Sequence, residues 1–282
     1  MPSNALSYCA QEVRTRDRDR FLACLFAPAE RREALFALYA FNLEVAKTAE
    51  LVSEPTLGQI RLQWWREALD QIYLGGPVRE HQVVEPLAAA IRDRGLERAA
   101  FERLLEAREA DLDPAAPSDL AALERYAEGT SATLQRLALT VLGCEGEAAQ
   151  AAARHVGVAW ALTGLLRAVP FHARQKRLYL PEDHLAVTGV KIAELFELQS
   201  SDALTGVVMR LAKRAREHLA EARHRHREVS REALPALLPA RLADGYLTRL
   251  ERSGFDPFDS RVQMALPNRA LRLWWAAARN RY

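Results

Sequence analysis

The stretch EAAQAAARHVGVAWALTGLLRAV, Glu147 to Val169, is apolar around most of a helical circumference rather than along one stripe. A helix at the surface keeps a polar face, so this one is expected at the centre of a fold, with neighbours on nearly every side. Pro170 has no amide hydrogen to donate and its ring crowds the carbonyl four residues back. The helix is therefore expected to close there, leaving Phe171 to Pro181 as a loop.

On either side the pattern is also helical. Leu35, Leu38, Tyr39, Ala46 and Ala49 recur at steps of three and four. So do Ile60, Trp64, Trp65, Leu69, Ile72 and Tyr73, before Gly75-Gly76-Pro77 ends the run. Further helices are expected over Val84 to Arg94, Arg98 to Asp111, and Tyr126 to Leu142, with Ser118 or Asp119 capping the chain after the Asp113–Pro117 loop. Others follow near Ile192–Leu198, over Leu204–Val229, and from Arg269 to Arg279. Alternation at period two is rare and no repeat or linker interrupts the 282 residues, so one all-α domain spanning 1–282 is the economical reading.

Composition excludes several classes. Thirty-nine basic and thirty-seven acidic side chains leave a net charge of +2, too little for general attraction to nucleic acid or anionic lipid, so that only local patches remain to be considered. Cys9, Cys24 and Cys144 are widely spaced, which fits a reducing compartment and offers no zinc pattern. The opening Met1-Pro2-Ser3-Asn4-Ala5-Leu6 lacks the pattern of a signal peptide. No run of about 18 uncharged apolar residues is present. A cytoplasmic location is expected, or a peripheral one at the inner face of the cytoplasmic membrane.

Three passages resemble the squalene/phytoene synthase superfamily. They are Ala37-Leu38-Tyr39-Ala40-Phe41, then Leu62-Gln63-Trp64-Trp65-Arg66-Glu67-Ala68-Leu69, and then Leu162-Thr163-Gly164-Leu165-Leu166-Arg167 followed by Arg177-Leu178-Tyr179-Leu180-Pro181. The resemblance implies an isoprenoid-synthase-like helical bundle around a central cavity. In working members it also implies two aspartate-rich motifs, DDxxD and DxxED. Here these fall on Ala46-Lys47-Thr48-Ala49-Glu50 and on Ala168-Val169-Pro170-Phe171-His172, so that Glu50 alone keeps a carboxylate.

Prenyl coupling begins by ionising an allylic diphosphate, whose departing charge needs magnesium. Magnesium is held by carboxylate, phosphate and water oxygens in near-ideal octahedra. Alanine, valine and phenylalanine offer it nothing, and Lys47 reverses the charge. Removing such electrostatic stabilisation costs orders of magnitude in rate. A prenyl transferase of the usual kind is therefore not expected, and no cofactor is implied; Mg2+ would enter only with that activity.

A subgroup of the superfamily with the same losses, the mitochondrial complex I assembly factor and its bacterial relatives, is similar in further strings. These are Ala40-Phe41-Asn42-Leu43-Glu44, the 52–58 turn, Tyr126-Ala127-Glu128, Leu166 to His172, and the closing Trp274-Trp275 and Arg281-Tyr282. That resemblance implies a non-catalytic assembly or chaperone-like role, with subunits or assembly intermediates of respiratory complex I as partners. The alternatives are a prenyl transferase with a rearranged site and a non-catalytic binder of an isoprenoid or lipid.

The candidate site follows from the same placement. Lys47, Arg167, Arg174, Lys176, Arg177 and Tyr179 lie on or beside the former motifs and could hold a diphosphate or another anion directly. Glu50 and Asp111 complete the set as the remaining acids near the pocket. No catalytic residue and no metal ligand is singled out, since His172 has no second ligand at suitable spacing. Trp64 and Trp65 read as core. Trp274 and Trp275 read as docked on the bundle, with a membrane surface or a partner groove as the rivals. His218, His224 and His226 read as part of an exposed basic helix between Arg210 and Arg231, without the interleaved aromatics that nucleic acid would favour.

Overall fold

The structure, a computed structural model, describes residues 6–52 and 54–282. The opening segment 1–5, and Ser53 within the 52–58 turn, lie outside the described residues. Among the described residues there is no strand.

The first half begins with α1 (Tyr8–Arg16) and α2 (Arg18–Cys24), capped by the side chains of Ser7 and Asp17. Next come α3 (Ala29–Ala46) and the single turn α4 (Thr48–Leu51). Helix α3 buries an unbroken run from Leu35 to Asn42, because α1, α6 (Val84–Arg94) and α9 (Thr133–Leu142) enclose it. Helix α5 (Pro55–Tyr73) turns Leu62, Trp65, Leu69 and Ile72 inward, and Phe41 meets Trp65 edge-on at 5.2 Å between ring centres. Ile60, expected on that stripe, is exposed on the opposite face; Leu62 occupies the inward position instead. Helix α7 (Arg98–Glu109) passes into a 3-10 turn, Ala110–Leu112, and Asp119 caps α8 (Leu120–Ala127) by accepting a hydrogen bond from the Ala122 amide at 2.7 Å.

Helix α10 (Glu147–Arg174) is the axis of the fold, packing on α8, α9, α13 (Asp202–His224) and α15 (Pro239–Arg252). It is long and apolar enough to cross a membrane, but more than half of its most apolar window is buried in the bundle. Contrary to the sequence expectation, it runs through Pro170 to Arg174. A proline inside a helix costs about 3 kcal/mol. Val169, Pro170 and Ala173 are all buried, and each such burial contributes on the order of 1–2 kcal/mol, so packing keeps the last turn. The loop is consequently shorter than expected, and α11 (Glu182–Thr188), α12 (Ile192–Phe196) and α13 follow it.

The expected Tyr126–Leu142 helix is divided by a π-turn, Glu128–Ala132, whose widened ring is supported by the Thr133 hydroxyl donating to the Glu128 carbonyl at 3.0 Å. The turn lies against two helices at once. A Cβ added to Gly157 of α10 would stand 2.3 Å from the Cα of Ala132, and one on Gly129 would stand 2.5 Å from the Cβ of Ala107. Backbone meets backbone at Gly157.

Helix α13 ends at His224, short of the expected Val229, and a 3-10 turn follows. His218 is buried rather than part of an exposed face. Its Nδ1 lies 2.9 Å from His155 Nδ1 on α10, and its Nε2 lies 3.0 Å from Glu124 on α8, so one ring ties three helices together. Two short helices, α14 (Leu234–Leu237) and α16 (Ser260–Gln263), flank α15, and α17 (Arg269–Ala278) closes the chain. Buried Asp19 of α2 accepts from Tyr246 Oη at 2.6 Å and from Arg269 Nη1 at 2.5 Å, joining α2 to α15 and α17.

Gly157→Ala is expected to destabilise the protein by about 1–3 kcal/mol, because backbone rather than a flexible side chain must yield. Gly164→Ala, on the same helix where an added Cβ meets nothing within 4 Å, is expected to be neutral or to stabilise by up to about 1 kcal/mol. Urea unfolding of the two variants side by side measures the difference.

Candidate functional site

The turn after α7 drives Asp111 into the interior, where it is 5% exposed. Three side chains converge on it. Arg108 Nη1 donates to its Oδ2 at 3.0 Å, while Tyr126 Oη and Tyr179 Oη both donate to Oδ1, at 2.7 and 2.8 Å. Arg108 also donates to Tyr126 Oη at 2.9 Å. Arg108 stands one helical turn before Asp111, so α7 itself sets that pair; Tyr126 comes from α8, and Tyr179 from the loop after α10.

Electrostatics keep the cluster in one state. Burial disfavours the Arg108 charge, but Tyr126 and Asp111 outweigh it and hold the guanidinium above its ordinary value. Burial, with Asp111 adding to it, pushes the Tyr179 phenol up; burial does the same at Tyr126 against the pull of Arg108. Both phenols therefore stay protonated and donate. The charges cancel inside the cluster, and the carboxylate has little capacity left for a ligand.

The second motif segment reaches this cluster through His172, and the chain just after the first meets it through Gly58 and Leu112. His172 lies with its ring centre 4.5 Å from that of Tyr179, the planes tilted by 45°, and its imidazole is held down to about 4, chiefly by burial and despite the attraction of Asp111. It is neutral near pH 7 and brings no charge to the site. Ala168, Val169 and Pro170 present only hydrocarbon. On the other side, Leu112 fills the space against Gly58 in the first turn of α5, just after the first motif. There Ala46 ends α3, Lys47 forms an ion pair with Glu44 one turn earlier, Thr48 is buried and Glu50 is exposed. This donor set does not fit a magnesium cluster. Among the described residues, no group of three or more histidine, cysteine, aspartate or glutamate side chains is arranged to hold a metal.

The interior expected to hold a cavity is filled at this point. A void of about 10 Å³ remains beside His172, Tyr179 and Leu195, room for a single water at most. Outside it, Tyr126, Arg177, Tyr179 and the Asp113–Pro117 loop line an open cleft of about 240 Å³. Of the eight residues singled out in the sequence, Asp111 and Tyr179 are therefore bonded to each other and Arg177 lines the adjoining cleft. Arg174 and Lys176 are exposed nearby, Lys176 with a backbone φ of 53°. Arg167 is engaged elsewhere: its guanidinium lies 3.6 Å over the Tyr246 ring and donates to the carbonyls of Val262 and Gln263 at 3.3 Å. Lys47 and Glu50 share no hydrogen bond or ion pair with the Asp111 cluster.

Sequence reasoning missed Arg108 as a member. Its signal was available, a cation three residues before an acid near a helix end, the spacing at which charges meet on a helix. Tyr126 was visible only as part of a similar string, because nothing in a sequence shows that α8 and the post-α10 loop will converge.

The chain belongs to the squalene/phytoene synthase family, whose sequence profile matches residues 13–269. Within it, similarity runs to proteins named NADH dehydrogenase (ubiquinone) complex I, assembly factor 6: 35% identity to that of Mus musculus and 34% to that of Bos taurus, each over 98% of this chain and 82% of the relative. Presqualene diphosphate synthase of Sinorhizobium fredii is 30% identical over 72% of both chains. Among solved structures, a dehydrosqualene synthase in complex with ligand superposes with a TM-score of 0.84 at 22% identity, covering 96% of this chain and 94% of its own. A squalene synthase from Alicyclobacillus acidocaldarius gives 0.77 at 19% identity, covering 88% and 94%. These structures establish the all-α isoprenoid-synthase fold that the sequence led us to expect.

Tyr179→Phe removes one donor from a buried carboxylate and is expected to cost about 1.5–3 kcal/mol. Asp111→Ala strands the Arg108 charge and is expected to cost more, about 3 kcal/mol or above, in the same urea titration. A histidine held below its unfolded value of 6.5 binds fewer protons folded than unfolded, so its contribution is complete above pH 6.5 and is lost as pH falls toward 4. The loss of stability over that window should accordingly be shallower in His172→Phe than in the parent.

Proposed function

We propose that this protein is a non-catalytic member of its family that assists the assembly of respiratory complex I, the NADH dehydrogenase. The observation that carries the proposal is the state of the acids at the former metal sites. One motif carboxylate survives, exposed Glu50, and the one buried acid nearby, Asp111, is already neutralised by Arg108 and capped by two tyrosines. A site that ionises diphosphates needs two clusters of free carboxylates facing each other. Here the same region is knitted into the fold as an internal ion pair. The similarity to proteins named as complex I assembly factors, spread over 98% of the chain, supports the direction of the reading.

On this reading the partners are subunits or assembly intermediates of complex I, met at the inner face of an energy-coupling membrane by a protein held there peripherally. The protein's contribution is a stable helical surface rather than a chemical step, so it requires neither Mg2+ nor a redox cofactor.

Deletion of the gene is expected to lower membrane NADH oxidation severalfold, and the tagged protein is expected to retain immature complex I subunits on affinity purification. Farnesyl and geranylgeranyl diphosphate supplied with magnesium and NADPH should release no diphosphate above a protein-free blank, while a working synthase does so in parallel. Turnover by the folded protein would overturn the proposal, as would unchanged NADH oxidation in the deletion strain.

A further inference from the structure

Helix α17 is apolar on two opposite faces. Leu273, Ala276 and Ala277 pack inward, and Arg269 anchors the first turn on Asp19. Outward, Leu271, Trp274 and Trp275 are 53%, 56% and 48% exposed, and positions 271, 274, 275 and 278 form one stripe at helical spacing. The expectation that both tryptophans dock on the bundle is thus not met. Two exposed indoles on one short helix are costly in water and suit the interfacial zone of a bilayer, where an apolar ring with one polar edge is at home.

The charge around the stripe is mostly positive, with exposed Glu251 paired to Arg216 at 2.8 Å. From Val262 to Tyr282 the chain has four arginines and no carboxylate side chain. Two clefts adjoin α17. One, of about 480 Å³, is lined by Arg223, Arg241, Arg279 and Arg281 together with Trp275; the other, of about 500 Å³, by Arg216, Arg241, Arg249, Arg252 and Arg272. Asp244, the acid lining the second cleft, is taken up by Arg223 and Arg241 at 2.7 and 3.0 Å. Arg252, Arg272, Arg279 and Arg281 make no ion pair among the described residues. Arg279 lies 4.1 Å over the Trp275 ring, which places cation and indole at the same level.

We propose that α17 and its two flanking arginine clefts form a docking surface for an anionic lipid bilayer, with the Leu271–Trp274–Trp275 stripe entering the interface and the arginines meeting headgroup phosphates on both sides. A surface helix with an apolar stripe and basic margins binds a membrane through both terms together. Several arginines spread across a face match the many phosphates of a membrane plane better than they match one small anion, and each adds about fivefold to the attraction for an anionic surface. This surface deepens the peripheral location proposed above. The two can fail separately, because vesicle binding is measured on the purified chain and the assembly role in a deletion strain.

The test is co-sedimentation of the full chain with vesicles of phosphatidylcholine alone, or with one third phosphatidylglycerol, at low and high salt. Binding to the anionic vesicles at least tenfold above the neutral ones, weakened by salt, is expected. Trp274→Ser with Trp275→Ser should lose at least tenfold, and so should Arg272→Glu with Arg279→Glu; Arg174→Glu with Lys176→Glu, in the other exposed basic patch, should bind like the parent. Circular dichroism checks that each variant is folded, and the arginine pair decides the matter if the tryptophan pair is not. Absence of binding by the parent overturns the proposal and leaves the stripe to a protein partner. Equal loss in the Arg174/Lys176 variant also overturns it, since general charge would then account for the binding.

Discussion

Where α10 crosses the π-turn at 128–132, Gly157 lies with its backbone directly against Ala132, and on the far side of the same turn Gly129 meets Ala107 of α7. Three segments are thereby held closer than any larger side chains would allow. The contact sets the distance between the central helix and α7, and through α7 it fixes the depth at which the 3-10 turn delivers Asp111. It also fixes α8, whose Tyr126 and Glu124 lie within one turn of each other and reach two different interior partners. Close packing of this kind is intolerant of added volume, so small residues there carry more of the architecture than their size suggests.

The interior carboxylates of this protein are satisfied by its own side chains. Taking a carboxylate out of water is costly unless its charge is matched and its lone pairs are filled. In this protein Arg108 matches the charge, and Tyr126 and Tyr179 fill the lone pairs of one oxygen. His172, where an aspartate would stand in a working synthase, is kept neutral by burial and contributes an aromatic face to Tyr179. The former second motif thus now holds a loop in place, and the loop in turn closes the interior. Asp19 is satisfied on the same principle by Tyr246 and Arg269.

Much of the fold was legible because its signals are local. Val84–Arg94 begins and ends where the sequence puts it, with Gly95 supplying the left-handed cap. The central position of α10 follows from its all-round apolar character. What was not legible depends on partners distant in sequence. Pro170 ends a helix by local rules and does not here, because burial on all sides outweighs one missing hydrogen bond. The π-turn is likewise invisible to a periodicity of 3.6, and Ile60 and Leu62 exchange roles once a neighbouring helix fixes the face of α5. At the site, Asp111, Arg177 and Tyr179 could be grouped from the sequence by resemblance. Arg167 could not be separated from them, since its engagement with Tyr246 depends on a helix some eighty residues further along the chain.

The order in which this protein leaves the ribosome adds a last consequence. Helix α10 is complete at residue 174, yet the helix that covers it most fully, α13, begins only at residue 202. During that interval the most apolar segment of the chain has only its N-terminal neighbours, and one side stays open to water, to other nascent chains or to the membrane-insertion machinery. A segment that qualifies by length and composition as a membrane span is therefore covered on that side only once α13 has been made. Slow passage through residues 175–225, or a stop codon within them, would release a product whose exposed core helix leads toward aggregation or mistaken insertion.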